Sequence, residues 1–138
     1  MNTMSHDEFF HQVQMITDQD LKRVLSCLEN AHIDEEIIEL WDEKLERSQI
    51  ISQRQAPANL VTIHSTMQCQ EMGHLSLVFP HEADIDTGKI SILAPLGISL
   101  LGARTGQLIT WRCRNGRSKK LMIDTITYQP ESAGHWHL

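Results

Sequence analysis

The stretch from Ile90 to Gly106, ISILAPLGISLLGARTG, restricts the folds open to this chain more than any other segment. Ile90 and Ile92 alternate as in a buried strand, Pro95 opens a short apolar helix, and Gly102 closes it. Gly106 then turns the chain into the next strand. Proline is preorganised for the first helical position, and glycine is the usual residue just past a helix end. A helix this short and this apolar does not persist alone in water, so it must lie on a sheet.

The flanking sequence supplies that sheet. Beyond Pro57, five segments are β-branched or alternating and are separated by Gly, Asp and Asn: Leu60–His64, Leu75–Phe79, Lys89–Leu93, Gln107–Cys113 and Arg117–Thr127. Asn115-Gly116, between the last two, is the preferred pair for a type I′ hairpin turn. Five antiparallel strands and one short helix predict an α+β domain whose helix covers one sheet face.

The first 58 residues have a different character. They hold 12 acids against 5 bases, a charge of −7, whereas residues 59–138 hold 6 against 7, a charge of +1. Such an acidic half disfavours non-specific binding to nucleic acid. Thr17 or Asp18 can cap a helix with Leu21, Val24, Leu25 and Leu28 on one stripe. Asp34 can cap a second, with Glu35 and Glu36 at its positive end and Ile37, Leu40, Trp41 and Leu45 as its apolar face. Joined at Asn30–Ile33, the two form an antiparallel hairpin, either as a short coiled-coil arm or as a helical pair packed on the sheet. In residues 1–16, Ser5-x-x-Glu8 fits a capping box, while Val13, Met15 and Ile16 fit a strand equally well. The expected organisation is an N-terminal extension at 1–16, an acidic hairpin at 17–55 and the α+β domain at 56–138.

Composition narrows the class. Over 138 residues, 41% hydrophobic and 22% charged side chains suit a folded globular protein. The longest apolar runs are too short to span a bilayer, and MNTMSHDEFF lacks a basic and an apolar leader region, so a cytoplasmic protein is expected. Cys27, Cys69 and Cys113 are far apart and odd in number, which fits reduced thiols. His135-x-His137 offers two imidazoles where a metal site needs three or four ligands. No nucleophile elbow, zincin or phosphate-loop motif is present, so neither a cofactor nor a metal is expected.

Three ordered motifs, Phe79–Asp84 (FPHEAD), Ala94–Gly106 (APLGISLLGARTG) and Tyr128–Gly134 (YQPESAG), give the chain a resemblance. It resembles the C-terminal domain of Gre-type transcription elongation factors, and more closely their short relatives, the regulators of nucleoside diphosphate kinase. The resemblance is strong over Leu60–Leu138. It implies an FKBP-like fold and docking on RNA polymerase, at the rim of the secondary channel, through the corner Leu93, Ala94, Pro95, Leu96 and Gly97. Cleavage factors usually carry Asp-Ser before this proline; Leu93-Ala94 here favours the short relatives. Gre factors also place two acids at the tip of a long arm to hold a second metal ion, a role for which hard carboxylate oxygens suit Mg²⁺.

The corresponding tip offers Glu29, Asp34, Glu35 and Glu36. A first helix from Asp18 to Glu29 is only about 18 Å long, too short to reach a deep catalytic centre. The expectation is therefore a non-enzymatic regulator that competes with longer channel-binding factors and affects the kinase indirectly. Transcript cleavage, direct kinase binding and FKBP-like prolyl isomerisation are the alternatives. The last is disfavoured by the few aromatics of the domain, Phe79, Trp111, Tyr128 and Trp136. Arg112, Arg114, Arg117, Lys119 and Lys120 form the one cationic cluster. It reads as a weak phosphate-binding strip or, more commonly, as charges that guard a hairpin edge.

Overall fold

The computed structural model describes residues 14–30, 32–113 and 115–138. In chain order these form β1 (Met15–Thr17), α1 (Asp18–Glu29), α2 (Glu35–Arg47), β2 (Gln49–Ile51), β3 (Thr66–Cys69), β4 (Gly73–Val78), β5 (Lys89–Ser91), α3 (Pro95–Leu100), β6 (Leu108–Arg112) and β7 (Ser118–Tyr128). β1 and β2 pair in parallel, with Met15 opposite Gln49 and Thr17 opposite Ile51. The other five strands make one sheet in the order β5-β4-β3-β7-β6. Mixed α+β architecture is thus as the sequence predicts. No helix among the described residues is long and apolar enough to cross a membrane.

The helices begin where their caps dictate. Thr17 Oγ1 accepts from the Asp20 N–H at 3.0 Å, so Thr17 is the cap of α1. Asp34 stands at the N-cap position of α2, with Glu35 and Glu36 in the first turn and Lys44 and Arg47 in the last, both matched to the helix dipole. Of the two readings of Met15 and Ile16, strand is the one realised. The capping-box reading at Ser5–Glu8 lies outside the described residues.

Three expectations for the sheet are corrected. Leu60–His64 is not a regular strand, although Leu60, Val61 and Ile63 are fully buried. Val61 exchanges backbone bonds with Ala103 and Gly102. A turn at 62–65 follows, in which Ser65 N–H donates to Thr62 O at 3.0 Å, and His64 takes φ 72°. That left-handed residue breaks the extended run, and the strand starts afresh at Thr66. Second, β5 joins β4 in parallel, so the sheet is not wholly antiparallel. Third, Gly116 takes φ 83° but Asn115 does not share a positive φ. The Gly116 N–H donates to Cys113 O and the Cys113 N–H to Arg117 O, so the loop is longer than a two-residue type I′ turn.

Hairpin and sheet share one core. Ile16, Val24 and Trp41 are buried together with Met67, Leu77, Ile92, Leu100 and Ile123, and Leu21, Leu28, Ile37 and Leu40 pack around them. Trp41 Nε1 donates to Ile92 O at 3.0 Å, which satisfies the indole where no water reaches it. A buried polar seam reinforces the joint. Asp20 Oδ2 accepts from Ile63 N–H at 3.1 Å, and Thr62 Oγ1 donates to Glu131 Oε1 at 2.7 Å. Gln129 Nε2 donates to Pro57 O at 2.6 Å and Leu60 O at 2.7 Å. Burial, abetted by the nearby Glu131 charge, pushes Asp20 up to about 7 despite its bonds from Ile63 and Thr17 and the Arg23 charge.

Candidate functional site

The corner that opens the α3 helix is built by close backbone approach. Ile92 N–H donates to Val78 O at 2.9 Å, extending the β4–β5 pairing. The Ala94 N–H then turns back onto Ser91 O at 3.0 Å, and Leu93 N–H bonds Ser91 Oγ at 3.0 Å. Pro95 takes the first helical turn, where its missing N–H costs nothing. A Cβ on Gly97 would lie 1.9 Å from Ser91 O, so only glycine lets α3 lie against the end of β5. At the other end, Gly102 has φ 84°, and a Cβ there would meet Met15 O at 2.8 Å. The two motif glycines therefore fix the helix against the sheet on one side and against β1 on the other.

Of the five corner residues, Leu96 and Gly97 face inward and are buried, whereas Leu93, Ala94 and Pro95 are half-buried and reach the surface. Those three form one wall of a cleft of about 390 Å³. The opposite wall is the link between the two hairpin helices and the start of α2: His32, Ile33, Asp34, Glu36 and Ile37. Ser91 and Arg112 complete the lining. Apolar side chains from both walls thus meet at a mouth that carries carboxylates on one side and a guanidinium on the other, a mixture typical of a protein-binding surface.

The structure brings Asp34 and Glu36 to the corner but leaves Glu29 and Glu35 exposed outside the cleft lining. Of the basic cluster, Arg112 joins the cleft, while Arg117, Lys119 and Lys120 are exposed on the β6–β7 hairpin, with Lys119 opposite Trp111 and Lys120 opposite Thr110. Arg114 lies outside the described residues. Residues that sequence reasoning did not assign to the docking site are His32, Ile33, Ile37 and Ser91. Their only signal was adjacency to the corner and to the tip acids, since the φ of 80° at His32 that shapes the link leaves no mark in the residue type.

The recognition motifs outside the corner hold it in place. Glu82 of FPHEAD accepts from Phe79 N–H at 3.2 Å and lies 2.8 Å from His64 Nε2. Partial burial opposes its charge, yet these bonds and the nearby imidazoles hold it below the ordinary carboxylate range. Gln129 and Glu131 of the last motif pin the 57–62 segment. Tyr128 OH and His135 Nδ1 lie 2.6 Å apart. Among the described residues no group of three His, Cys, Asp or Glu is placed to hold a metal ion.

A second cleft, of about 370 Å³, runs between the C-terminal half of α2, α3 and β6. It contains Lys44, whose ammonium donates to Ser99 O at 3.4 Å and is pulled down to about 7 by burial. Lys44 belonged to no sequence motif. Among the described residues neither cleft is lined by Phe, Tyr or Trp.

Comparison with known proteins places this geometry. Residues 56–128 match the family described as transcription elongation factor GreA/GreB, C-terminal. The regulator of nucleoside diphosphate kinase of Escherichia coli K12 is 30% identical over 130 residues, covering 90% of this chain and 96% of that protein. Transcription elongation factor GreA of Prosthecochloris aestuarii is 30% identical over 88 residues, which span 59% of this chain and 54% of GreA. In structure, the GreA/GreB elongation factor of Nitrosomonas europaea superposes with a TM-score of 0.66 at 30% identity, covering 84% of this chain and 98% of the other. A family match over more than half of the chain, a relative matched along nearly its whole length and a superposing structure agree, and the chain belongs to the GreA/GreB family of transcription elongation factors.

Proposed function

We propose that this chain is a non-enzymatic cytoplasmic regulator of transcription that binds RNA polymerase at the mouth of its secondary channel and competes there with longer Gre-type factors. The observation that carries the reading is the cleft in which Leu93, Ala94 and Pro95 face Asp34 and Glu36. The surface used for docking and the acidic end of the hairpin form one continuous face, so a single partner can engage both. The rigid proline and the small apolar side chains give that partner a preorganised, desolvatable patch. Helix α1, 12 residues long, is about 18 Å from end to end, which suits the channel mouth and not its depths. An effect on nucleoside diphosphate kinase follows through transcription in this reading. The β6–β7 cations give at most a weak nucleic-acid contact and otherwise guard the sheet edge.

Retention of the protein by core RNA polymerase tests the docking. The wild type should be retained at micromolar concentration and displaced by a long Gre factor, and Pro95→Asp should lose retention at least about tenfold, the factor that a loss of 1.4 kcal/mol produces. No retention of the wild type would sink the proposal. Transcript cleavage is tested apart: release of short 3′ RNA from stalled elongation complexes would restore the cleavage-factor reading.

A further inference from the structure

We propose that Asp20 and Arg23 form a proton-controlled latch on the segment 135–138. With Asp20 neutral the guanidinium holds that segment, and with Asp20 ionised it turns to the carboxylate and releases it. The segment is gripped at the base of the hairpin, mostly through its backbone. Arg23 Nη1 donates to Leu138 O at 2.6 Å and Nη2 to His137 O at 3.4 Å. Gln53 Nε2 donates to Trp136 O at 3.1 Å and Gln19 Nε2 to the same oxygen at 3.4 Å. The Arg54 guanidinium lies 5.1 Å from the centre of the Trp136 ring. The shortest of these holds, from Arg23 Nη1, is also the one with a second acceptor in reach.

That acceptor is Asp20 Oδ1, 3.6 Å from Nη1 and beyond hydrogen-bond range. Asp20 is 1% exposed, and its Oδ1 is buried with no hydrogen bond among the described residues, whereas Oδ2 accepts from Ile63 N–H at 3.1 Å. A buried carboxylate ion draws an arginine in reach to about 2.7–2.9 Å, because an uncompensated charge there is costly. An arginine that gives its short bond to a neutral carbonyl instead marks the neutral acid.

Two charged groups act on Asp20 at this seam. Arg23, on its own helix, favours the ionised form, and the buried Glu131 of the last motif opposes it. The 62–65 turn presents the Ile63 N–H, and its own His64 is engaged by Glu82 at 2.8 Å. Burial is the largest influence and places the change of state at about pH 7. Below it the segment is held. Above it Oδ1 is the stronger acceptor, since a charge-assisted bond is about twice as strong as a neutral one. The Phe79 ring, 5.9 Å from the guanidinium, gives Arg23 a flat surface to turn on.

The test is NMR of the isotope-labelled whole chain between pH 5 and pH 9. The Asp20 carboxyl carbon should titrate with a midpoint near 7. Backbone order parameters of residues 136–138 should fall with the same midpoint, from about 0.85 to under about 0.6. In Asp20→Asn the fall should vanish and the segment stay ordered at pH 8, which separates the latch from any effect of His135 and His137. Arg23→Gln should leave the segment loose at both pH 6 and pH 8, and it tests the latch even if the Asn variant fails to fold. An Asp20 midpoint below about pH 5 overturns the proposal. So does a segment that loosens equally in Asp20→Asn, or one that stays ordered in Arg23→Gln. None of these outcomes bears on polymerase docking at the tip cleft.

Discussion

The hairpin meets the rest of the molecule in two places, and they are built on opposite principles. At its base most polar groups are buried and answered: Thr17 caps α1, Asp20 Oδ2 takes the Ile63 N–H, Glu131 takes the Thr62 hydroxyl, and Trp41 bonds Ile92 O, while Asp20 Oδ1 is buried without a hydrogen bond. At its tip the walls stand apart around a cleft, the acids are exposed, and apolar side chains from both sides remain half covered. Buried polar groups must be paired or they cost free energy, so the base has little freedom to change. The tip is free of that constraint, and it is where the recognition of a partner can be written.

Substitutions separate the two regions, and the base should respond most. Trp41→Ala removes a fully buried indole and its hydrogen bond and should cost about 3–5 kcal/mol in denaturant unfolding. A loss under 1 kcal/mol would mean that the hairpin is not anchored through this residue. Gly97→Ala forces a methyl onto Ser91 O and should cost about 1–3 kcal/mol or more, read as a lowered Tm. Retention by the polymerase should fall with it, because α3 and the corner move together.

Asp20 gives a signed test of the seam. Folding raises its pKa from 3.8 to about 7, so the folded chain holds a proton that the unfolded chain releases between those values. The stability contributed by the protonated form is complete below pH 3.8 and is lost as pH rises to about 7. Lys44 works the other way: its pKa falls from 10.5 to about 7, so its burial cost is full below pH 7 and fades as pH rises toward 10.5. Together these two groups place a local minimum of stability near pH 7. Asp20→Asn should remove the acid limb of that curve, leave the alkaline limb, and stabilise the fold by about 1–3 kcal/mol at pH 8. At the tip, Asp34→Asn with Glu36→Gln should leave Tm almost unchanged and weaken polymerase retention. A large drop in Tm from that pair would erase the distinction between base and tip.

Much of the scaffold was visible in residue types. Thr17 ahead of a Leu/Val stripe, acids at the start of α2, and proline and glycine bracketing α3 all state local rules that the fold obeys. What escaped depended on distant partners. Leu60–Ile63 has the residues of a strand, but its hydrogen bonds go to Gly102 and Ala103, and His64 bends the chain out of line. The direction of β5 against β4 is set by the connection through residues 79–88, not by the strands themselves. Within the candidate site, Pro95 and the tip acids were legible, but the inward turn of Leu96 and Gly97 was not. Asp20 and Lys44 resembled ordinary charges of an amphipathic helix, since burial by a sheet more than 40 residues away leaves no periodicity of its own.

The parallel pair of β1 and β2 carries one more consequence. It closes the chain just before α1 and just after α2, holding the two exits at neighbouring-strand distance, about 4.8 Å. The hairpin therefore enters and leaves the body through one narrow joint, while Val24 and Trp41 bury its middle in the shared core. Residues inserted in the link between α1 and α2 should leave that joint in place and alter only the tip.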